Sequence, residues 1–544
     1  MKSSTGKDSS HKSGRLDEHY LLTLAMLFCI YFLFIPTPPC VSGECEGTAV
    51  LDIAETAVLN FSNKAVTNHT LQGTNTTLTY STTAASLTVI GEDREPGSRI
   101  FYIYYAADDQ SSKTQRPVTF VFNGGPGAAS AYLHMGALGP KRILFGEKGN
   151  VLPTPVRLHD NPKSWLQFTD LIFIDPVGTG YSRLIPENNG KNKKETRNNS
   201  NDIPVKKQAW GVEEDANSLA RFIRAFLTQE QRWRSPVFLV GESYGGFRVA
   251  RLSNLLQSTY GIAPRGLVLV SPVLDFSLLW GGSHSLWPWV ALLPSYTAVA
   301  AIHEQSTEIS YQADKPRASL AGVEQLALSE YLSGLARGEL EGEWLTTTSC
   351  LTGINTRILQ RSTGRIPPAR FAKLLLSDQQ RLVSLYDGSI TLIDSEPAHQ
   401  ELTSGDLYLE QLNIPVTAAF NSYISEELHF KTELPYLLLN DDVFKSWNWH
   451  SGIQGSQGFA DTATDLKKAM SRNPQMQVLI MHGVFDLVTP YFSSAITIRQ
   501  MSLDTAIRNN IQLKVYHGGH MPYLHQNAFE AMFKDGSVFY KQEN

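Results

Sequence analysis

The sequence predicts an α/β fold in which helices flank a mostly parallel central sheet. One observation is a series of short apolar runs, rich in β-branched residues, that have the length of buried strands. A second observation is that helical stretches, notably 213–223, lie between these runs. The apolar runs are Val118–Phe122, 171–174, 237–240, Gly266–Val270, 476–481 and 512–516.

Length and composition fit one large catalytic domain that carries an insertion. The chain has 544 residues, of which 42% are hydrophobic and 18% charged, so it can bury a sizeable core. A net charge of −5 gives no indication of a nucleic-acid partner. The cysteines form neither a disulfide framework nor a paired zinc motif. They are Cys29, Cys40, Cys45 and Cys350. Whether Cys45 and Cys350 form a disulfide stays open.

An apolar run near the start of the sequence predicts export. Residues 20–35 are almost entirely apolar, follow a polar, partly basic stretch and precede the helix-breaking segment Pro36-Thr37-Pro38-Pro39. We predict a signal peptide over residues 1–43, cleaved before Glu44, with a retained signal anchor as the alternative. The catalytic part would then be secreted, periplasmic or held in an acidic compartment of the secretory pathway. It would be attached to a membrane only if the segment is retained.

The strand pattern divides the remaining chain into three parts. A strand-rich lead-in and the apolar runs up to Val270 predict a first part of the core over 44–275. The pattern then lapses for roughly 200 residues, which is too long for one loop. Helical segments such as 326–335 and 371–385 predict a helical cap over 276–450, and the core resumes over 451–544. The polar stretch 184–207, with its interspersed charges, is interpreted as a solvated loop.

The segment Gly241-Glu242-Ser243-Tyr244-Gly245 stands between an apolar run and a helical stretch. A serine at the apex of a sharp strand-to-helix turn, with glycines around it, is typical of the nucleophile elbow of an α/β-hydrolase fold. A surface Gly-Ser turn is the alternative interpretation of so short a pattern. Ser243 is therefore a candidate nucleophile whose partners must be found elsewhere in the chain.

Two residues near the end of the sequence are candidates for those partners. Asp486 follows the apolar run 476–481, and His520 follows the final run 512–516. The order serine, acid, histidine is the order of an α/β-hydrolase triad, in which the histidine acts as base and the acid orients it. The sequence therefore predicts a triad of Ser243, Asp486 and His520.

Other assignments for these segments stay possible. His517 competes with His520 as the base, and His482 is a candidate structural histidine. Asp486 could instead cap the helix predicted to begin near Pro490, although Thr489 is better placed to do so.

A glycine-rich segment, Asn123-Gly124-Gly125-Pro126-Gly127, directly follows the apolar run Val118–Phe122. An α/β-hydrolase places its second oxyanion-hole donor at this position. Consecutive glycines allow a backbone N–H to point into the site without obstruction by side chains. A plain turn is the weaker alternative.

Five motifs, in this order over residues 123–521, resemble those of the serine carboxypeptidases. They are the glycine-rich segment at Asn123, Asn161-Pro162-Lys163-Ser164-Trp165, Asp175-Pro176-Val177-Gly178-Thr179-Gly180-Tyr181-Ser182, the segment around Ser243, and Gly519-His520-Met521.

The resemblance implies a role for each matching residue and implies no metal or organic cofactor. Ser243 would be the nucleophile, His520 the base and Asp486 its partner, while the N–H groups of Gly125 and Tyr244 would form the oxyanion hole. Asn123, Gly124 and Glu242 would bind the C-terminal carboxylate of a peptide or protein substrate. A carboxylate beside Glu242 requires one shared proton, so peptide hydrolysis would favour acidic pH.

Three positions depart from the pattern of that family. Val121 replaces a frequent Trp, Ala128 replaces a frequent Cys, and Ala137 stands where a second carboxylate-binding Glu is usual. These changes leave the triad intact and weaken the expected carboxylate clamp. They suggest a divergent or bacterial-type branch of the family.

The expected function is that of an exported serine carboxypeptidase-like hydrolase, which releases C-terminal amino acids from peptides through an acyl-enzyme on Ser243. An esterase or acyltransferase on the same scaffold is the first alternative, because the glutamate position holds Ala137. A non-catalytic protective or binding protein is the second. The preferred side chains of the substrate and the oligomeric state stay open.

Overall fold

The structure of the protein is a computed structural model. It describes residues 64–541 except 74–76, 92–95, 109–114, 156, 186–209, 282–283, 404 and 451–458. The expected signal segment 1–43, the cysteines at 29, 40 and 45, and nearly all of the polar stretch 184–207 lie outside the described residues. Cys350 is half-buried, and the question of its pairing with Cys45 is therefore still open.

Strands in the described ranges form one large mixed sheet and two small two-stranded sheets. In chain order they are β1 (Ala65–Gln72), β2 (Thr77–Ile90), β3 (Pro96–Ala107), β4 (Val118–Phe122), β5 (Lys141–Ile143), β6 (Leu158–Asp160), β7 (Asp170–Ile174), β8 (Arg183–Leu184), β9 (Val237–Glu242), β10 (Gly266–Val270), β11 (Arg381–Val383), β12 (Thr391–Ile393), β13 (Gln477–Gly483) and β14 (Ile511–Tyr516).

The large sheet has the strand order β1-β2-β3-β7-β4-β9-β10-β13-β14, and β8 also pairs with β3. The pairs β1–β2, β2–β3 and β3–β7 are each antiparallel. From β7 to β14 every neighbouring pair is parallel. The prediction of a mostly parallel central sheet is therefore confirmed, with an antiparallel extension built by the strand-rich lead-in.

Helices connect the parallel strands and cover the sheet. In chain order the α-helices of the described residues are α1 (Ala131–Leu133), α2 (Val212–Gln229), α3 (Tyr244–Leu255), α4 (Trp287–Ile302), α5 (Ala321–Leu326), α6 (Leu332–Arg337), α7 (Glu343–Thr352), α8 (Thr356–Arg361), α9 (Pro368–Leu374), α10 (Leu407–Ser422), α11 (Asp441–Lys445), α12 (Ala463–Arg472), α13 (Tyr491–Gln500), α14 (Thr505–Arg508) and α15 (Gln526–Lys541).

The sheet separates two hydrophobic cores, because successive side chains of a strand point to opposite faces. On β4, Phe120 packs into one core and Val121 into the other. Apolar residues of α2, α3 and α12 fill the first core, and those of α4, α13 and α15 fill the second. The fold is thus that of an α/β-hydrolase, as the sequence predicts.

The chain between β10 and β13 is mainly helical and contains α4 to α12. It also contains the antiparallel hairpin of β11 and β12, where a helix over 371–385 is predicted. That helix prediction is wrong in its second half, because α9 ends at Leu374 and Gln380 adopts a left-handed φ of 53° that an α-helix cannot continue through. The boundaries of a separate cap at 276 and 450 stay a prediction.

No helix in the described ranges is long and apolar enough to cross a bilayer.

Candidate active site

The sheet topology brings the three predicted triad residues to one edge. Ser243 follows β9, Asp486 follows β13 and His520 follows β14. These strands are parallel and, with β10 between β9 and β13, consecutive in the sheet. Their carboxyl ends therefore meet at a single edge, which is where open α/β sheets bind ligands.

Ser243 occupies a strained turn between β9 and α3. Its φ of 59° and ψ of −126° are unusual for a residue with a side chain. The Ser243 N–H donates to the carbonyl oxygen of Val270 at 2.9 Å, which ties the turn to the neighbouring strand. A Cβ at Gly241 would lie 2.0 Å from the carbonyl oxygen of Gly245, so the turn needs glycine there. The geometry is that of the predicted nucleophile elbow.

Asp486 and His520 form a buried pair beside this turn. His520 Nδ1 lies 2.8 Å from Asp486 Oδ2, and both side chains are almost inaccessible to water. The other carboxylate oxygen, Oδ1, accepts hydrogen bonds from the backbone N–H groups of Val488 and Thr489. Burial alone lowers the pKa of His520, but the charge and hydrogen bond of Asp486, with the charge of Glu242, outweigh it, so the pKa is raised.

The hydroxyl of Thr489 belongs to this pair rather than to a helix cap. Thr489 Oγ1 lies 2.7 Å from Asp486 Oδ2 and 3.0 Å from His520 Nδ1. It also lies 2.9 Å from the carbonyl oxygen of Ser271. The N-terminus of α13 has Pro490 at its cap position and no side-chain cap. The alternative in which Asp486 or Thr489 caps this helix is therefore wrong, and the hydroxyl of Thr489 is engaged by Asp486 and His520 instead.

The two other candidate histidines have different partners. His517 Nδ1 lies 2.8 Å from the hydroxyl of Tyr311. His482 is fully buried, its Nε2 lies 2.9 Å from the hydroxyl of Ser494, and burial lowers its pKa to about 3. Neither ring forms a hydrogen bond to a carboxylate within the described ranges, so the geometry favours His520 as the base over both.

The glycine-rich segment lies directly against the nucleophile turn. A Cβ at Gly124 would come within 2.7 Å of Tyr244 N and 2.8 Å of Ser243 Cβ, so only glycine fits. Gly125 has a φ of 96°, and its N–H donates to no backbone acceptor among the described residues. Tyr244 is the first residue of α3, so its N–H has no partner inside the helix. The structure is therefore compatible with the prediction that these two N–H groups form the oxyanion hole.

Glu242 and Asn123 are joined in a buried hydrogen-bond network next to the triad. The Asn123 side-chain amide donates to Glu242 Oε1 at 3.0 Å, and the hydroxyl of Tyr523 donates to Oε2 at 2.7 Å. Asn123 Oδ1 in turn accepts the backbone N–H of Leu133 at 3.0 Å. Burial raises the pKa of Glu242 to about 7, although the charge of His520 and the hydrogen bonds from Tyr523 and Asn123 lower it.

A family model for serine carboxypeptidases matches residues 87–262, a range that holds the glycine-rich segment and the nucleophile turn. The serine carboxypeptidase-like 20 protein of Arabidopsis thaliana is 29% identical over 175 residues, which are 32% of this chain and 31% of the plant protein. The retinoid-inducible serine carboxypeptidase of Rattus norvegicus is 27% identical over 199 residues, which are 35% of this chain and 37% of the rat protein. These matches support the serine carboxypeptidase family as the family that this chain resembles.

Longer but weaker similarity extends over most of this chain. The pheromone-processing carboxypeptidase KEX1 of Yarrowia lipolytica is 21% identical over 463 residues, which are 79% of this chain and 64% of the yeast protein. The alignments with the plant relatives span about a third of those proteins. The crystal structure of a KEX1 prohormone-processing carboxypeptidase from Saccharomyces cerevisiae superposes with a TM-score of 0.51 at 15% identity, covering 85% of this chain and 91% of that chain. That superposition supports the fold.

Three residues of the candidate site are not predicted from the sequence, namely Thr489, Tyr386 and Tyr523. Tyr386 lies in the chain between β10 and β13. Its carbonyl oxygen accepts the backbone N–H of His520 at 2.5 Å, and its ring meets the His520 ring edge-on at 5.2 Å between centroids. No local sequence pattern identifies Tyr386. Thr489 stands three residues after Asp486, and Tyr523 stands three residues after His520, so a search for hydroxyls that support the triad could start at these positions.

We expect Thr489→Val to lower kcat/KM by about 10- to 100-fold, because a hydrogen bond to a charged group contributes roughly 1.5–3 kcal/mol. The loss is measured by comparing the steady-state kcat/KM of wild type and variant on any substrate that the wild type turns over. Thr497→Val is the matched control, since that buried hydroxyl donates only to the carbonyl oxygen of Ser493, on α13. An equal loss in the two variants would show that Thr489 acts through general stability alone.

Proposed function

We propose that the protein is a serine-type carboxypeptidase that releases C-terminal amino acids from peptides. The observation that carries the proposal is the buried Asp486–His520 pair beside the strained turn of Ser243, in a chain that resembles the serine carboxypeptidase family. His520 takes the proton of the Ser243 hydroxyl as that oxygen attacks the scissile carbonyl. Asp486 holds the ring in the correct tautomer and stabilises the imidazolium that forms.

In the same proposal the reaction proceeds through an acyl-enzyme. The N–H groups of Gly125 and Tyr244 stabilise the oxyanion, and His520 returns its proton to the leaving amino group. The C-terminal amino acid then departs, and water activated by His520 hydrolyses the ester on Ser243. Every step uses groups that this chain supplies.

Asn123, Gly124 and Glu242 would hold the carboxylate of the residue to be released. Support comes from the burial of Glu242 and from a pKa of about 7, because a carboxyl that stays protonated up to neutral pH can donate a hydrogen bond to a substrate carboxylate. A charged Glu242 would repel that carboxylate. Carboxypeptidase activity therefore requires the protonated form of Glu242.

This requirement fixes the sign of the pH dependence. We expect kcat/KM for a blocked dipeptide with a free C-terminus to fall as the pH rises through about 7, the pKa of Glu242. The C-terminal amide and an ester of the same dipeptide should lack this decline, since they carry no carboxylate. Glu242→Gln, which keeps a neutral side chain, should retain turnover of the free acid and lose the decline.

The same assay tests the carboxypeptidase assignment itself. If the free acid has no advantage over the amide and the ester, an esterase or acyltransferase reaction on this scaffold is favoured instead. A steep decline that begins already above pH ~5, where paired carboxyls titrate, would contradict the role of a single buried glutamate.

The covalent step can be tested separately with a fluorophosphonate probe. We expect the probe to label the wild type and not Ser243→Ala, because only an activated serine reacts. Ser253→Ala is the matched control on α3, since its buried hydroxyl donates to the carbonyl oxygen of Ala250. Labelling of Ser243→Ala at the wild-type level, or no labelling of the wild type, would favour a non-catalytic protein.

We also propose that the catalytic part is exported, on the strength of the apolar run 20–35 and the polar and proline-rich segments around it. We expect N-terminal sequencing of the mature protein to begin at Glu44. A mature chain that still contains residues 20–35 would instead indicate a signal anchor.

A further inference from the structure

We propose that Tyr523 is a positioning residue of the carboxylate clamp, and that its hydroxyl holds Glu242 in place of the second carboxyl that this chain lacks at Ala137. The inference rests on the proposed carboxypeptidase function. It assigns a role to a residue outside the triad, the oxyanion hole and the motif residues of the clamp.

The first support is geometric. The Tyr523 hydroxyl lies 2.7 Å from Glu242 Oε2, and both side chains are buried. The Asn123 amide lies 3.0 Å from Oε1, so each oxygen of the Glu242 carboxyl has its own donor. Two donors on opposite oxygens fix the plane of the carboxyl, which a single hydrogen bond would leave free to rotate.

The second support is the place of the tyrosine ring. A Cβ at Gly136 would lie 2.6 Å from Tyr523 Cε2, so the ring packs directly against the residue before Ala137. Ala137 is itself buried and has no side chain that reaches a carboxyl. The aromatic ring therefore lies against the chain segment from which the family's second glutamate extends, and its hydroxyl reaches Glu242.

The third support is electrostatic. The titratable groups that face Glu242 are His520, Asp486, Tyr523 and Tyr132, which come from three different segments of the chain. Burial, followed by the charge of Glu242, raises the pKa of Tyr523 well above its usual value, so the phenol stays neutral. A protonated Glu242 held by this phenol is an uncharged clamp, whereas two carboxyls that share one proton carry a negative charge.

The hydroxyl of Tyr523 donates to the Glu242 carboxyl, so it stabilises the charged form and lowers the pKa of Glu242. Its removal must therefore raise this pKa. In Tyr523→Phe the decline of kcat/KM for a free-acid dipeptide should move upward by about 1 pH unit, as expected for the loss of one hydrogen bond to a carboxylate. The KM for the free acid should rise, because the carboxyl is no longer held in its plane.

The experiment compares pH profiles of the wild type, Tyr523→Phe and Tyr540→Phe on the free-acid dipeptide and its ester. Tyr540→Phe is the matched control, since that buried hydroxyl bonds to Thr119. We expect the shift only in Tyr523→Phe and only with the free acid. Isotope-edited infrared titration, with the Glu242 band assigned by its loss in Glu242→Gln, should show the same upward shift without relying on turnover.

The outcomes separate this inference from the proposed function. If the wild type prefers the free acid but neither the kinetic decline nor the infrared midpoint moves in Tyr523→Phe, the role of Tyr523 is overturned and the carboxypeptidase assignment stands. If the wild type shows no preference for the free acid, both are overturned. Should Tyr523→Phe fold poorly, Gly136→Ala displaces the same ring and must shift the decline in the same direction for the inference to hold.

Discussion

Glu242 places a carboxyl, shielded from water, one residue before the strained turn that carries Ser243. Burial keeps it protonated up to about neutral pH, and a charged Glu242 would raise the pKa of His520. The charge on each of the two groups therefore favours the charged form of the other. When Glu242 takes up a proton, one of the charges that favour the imidazolium disappears, and His520 is more readily neutral. The protonated form of Glu242, which in the proposed function accepts a substrate carboxylate, is thus also the form that favours a neutral His520.

This coupling requires close contact between segments that are distant in the sequence. Gly124 brings the loop after β4 against the turn after β9, where a single added Cβ would collide with three backbone or side-chain atoms. The chain between β10 and β13 supports the other side. Leu385 and Gly388 exchange backbone hydrogen bonds with the loop that carries Asp486, and Tyr386 accepts the N–H of His520. This mainly helical region therefore helps to position Asp486 and His520.

The parts of the molecule that the sequence predicts correctly are those encoded by local pattern. Strands such as Val118–Phe122 and Gly266–Val270 are uniform apolar runs, and the turn at Ser243 has a glycine pattern tied to its geometry. Thr489, Tyr386 and Tyr523 could not be assigned in this way, because their roles arise only when β9, β13 and β14 lie side by side. Thr489 looks like a helix cap in the sequence, yet tertiary contacts direct its hydroxyl to Asp486 and His520. The hairpin at β11 is not predicted, because the sequence does not reveal that the α-helix ends at Leu374 or that Gln380, directly before β11, adopts a left-handed conformation.

A phenol and a second carboxyl differ as partners for a buried glutamate. Two buried carboxyls that interact strongly lose their protons in two separated steps, and at least one of them is charged over a wide pH range. A tyrosine with a strongly raised pKa does not titrate with its partner, so the net charge of the Glu242–Tyr523 pair follows the proton of Glu242 alone. His520 therefore faces a Glu242–Tyr523 pair with two charge states, neutral or singly negative. A pair of carboxyls would have three charge states. The proton of Glu242 therefore sets the charge of the proposed clamp and also influences the basicity of His520, on which Asp486 has the larger effect.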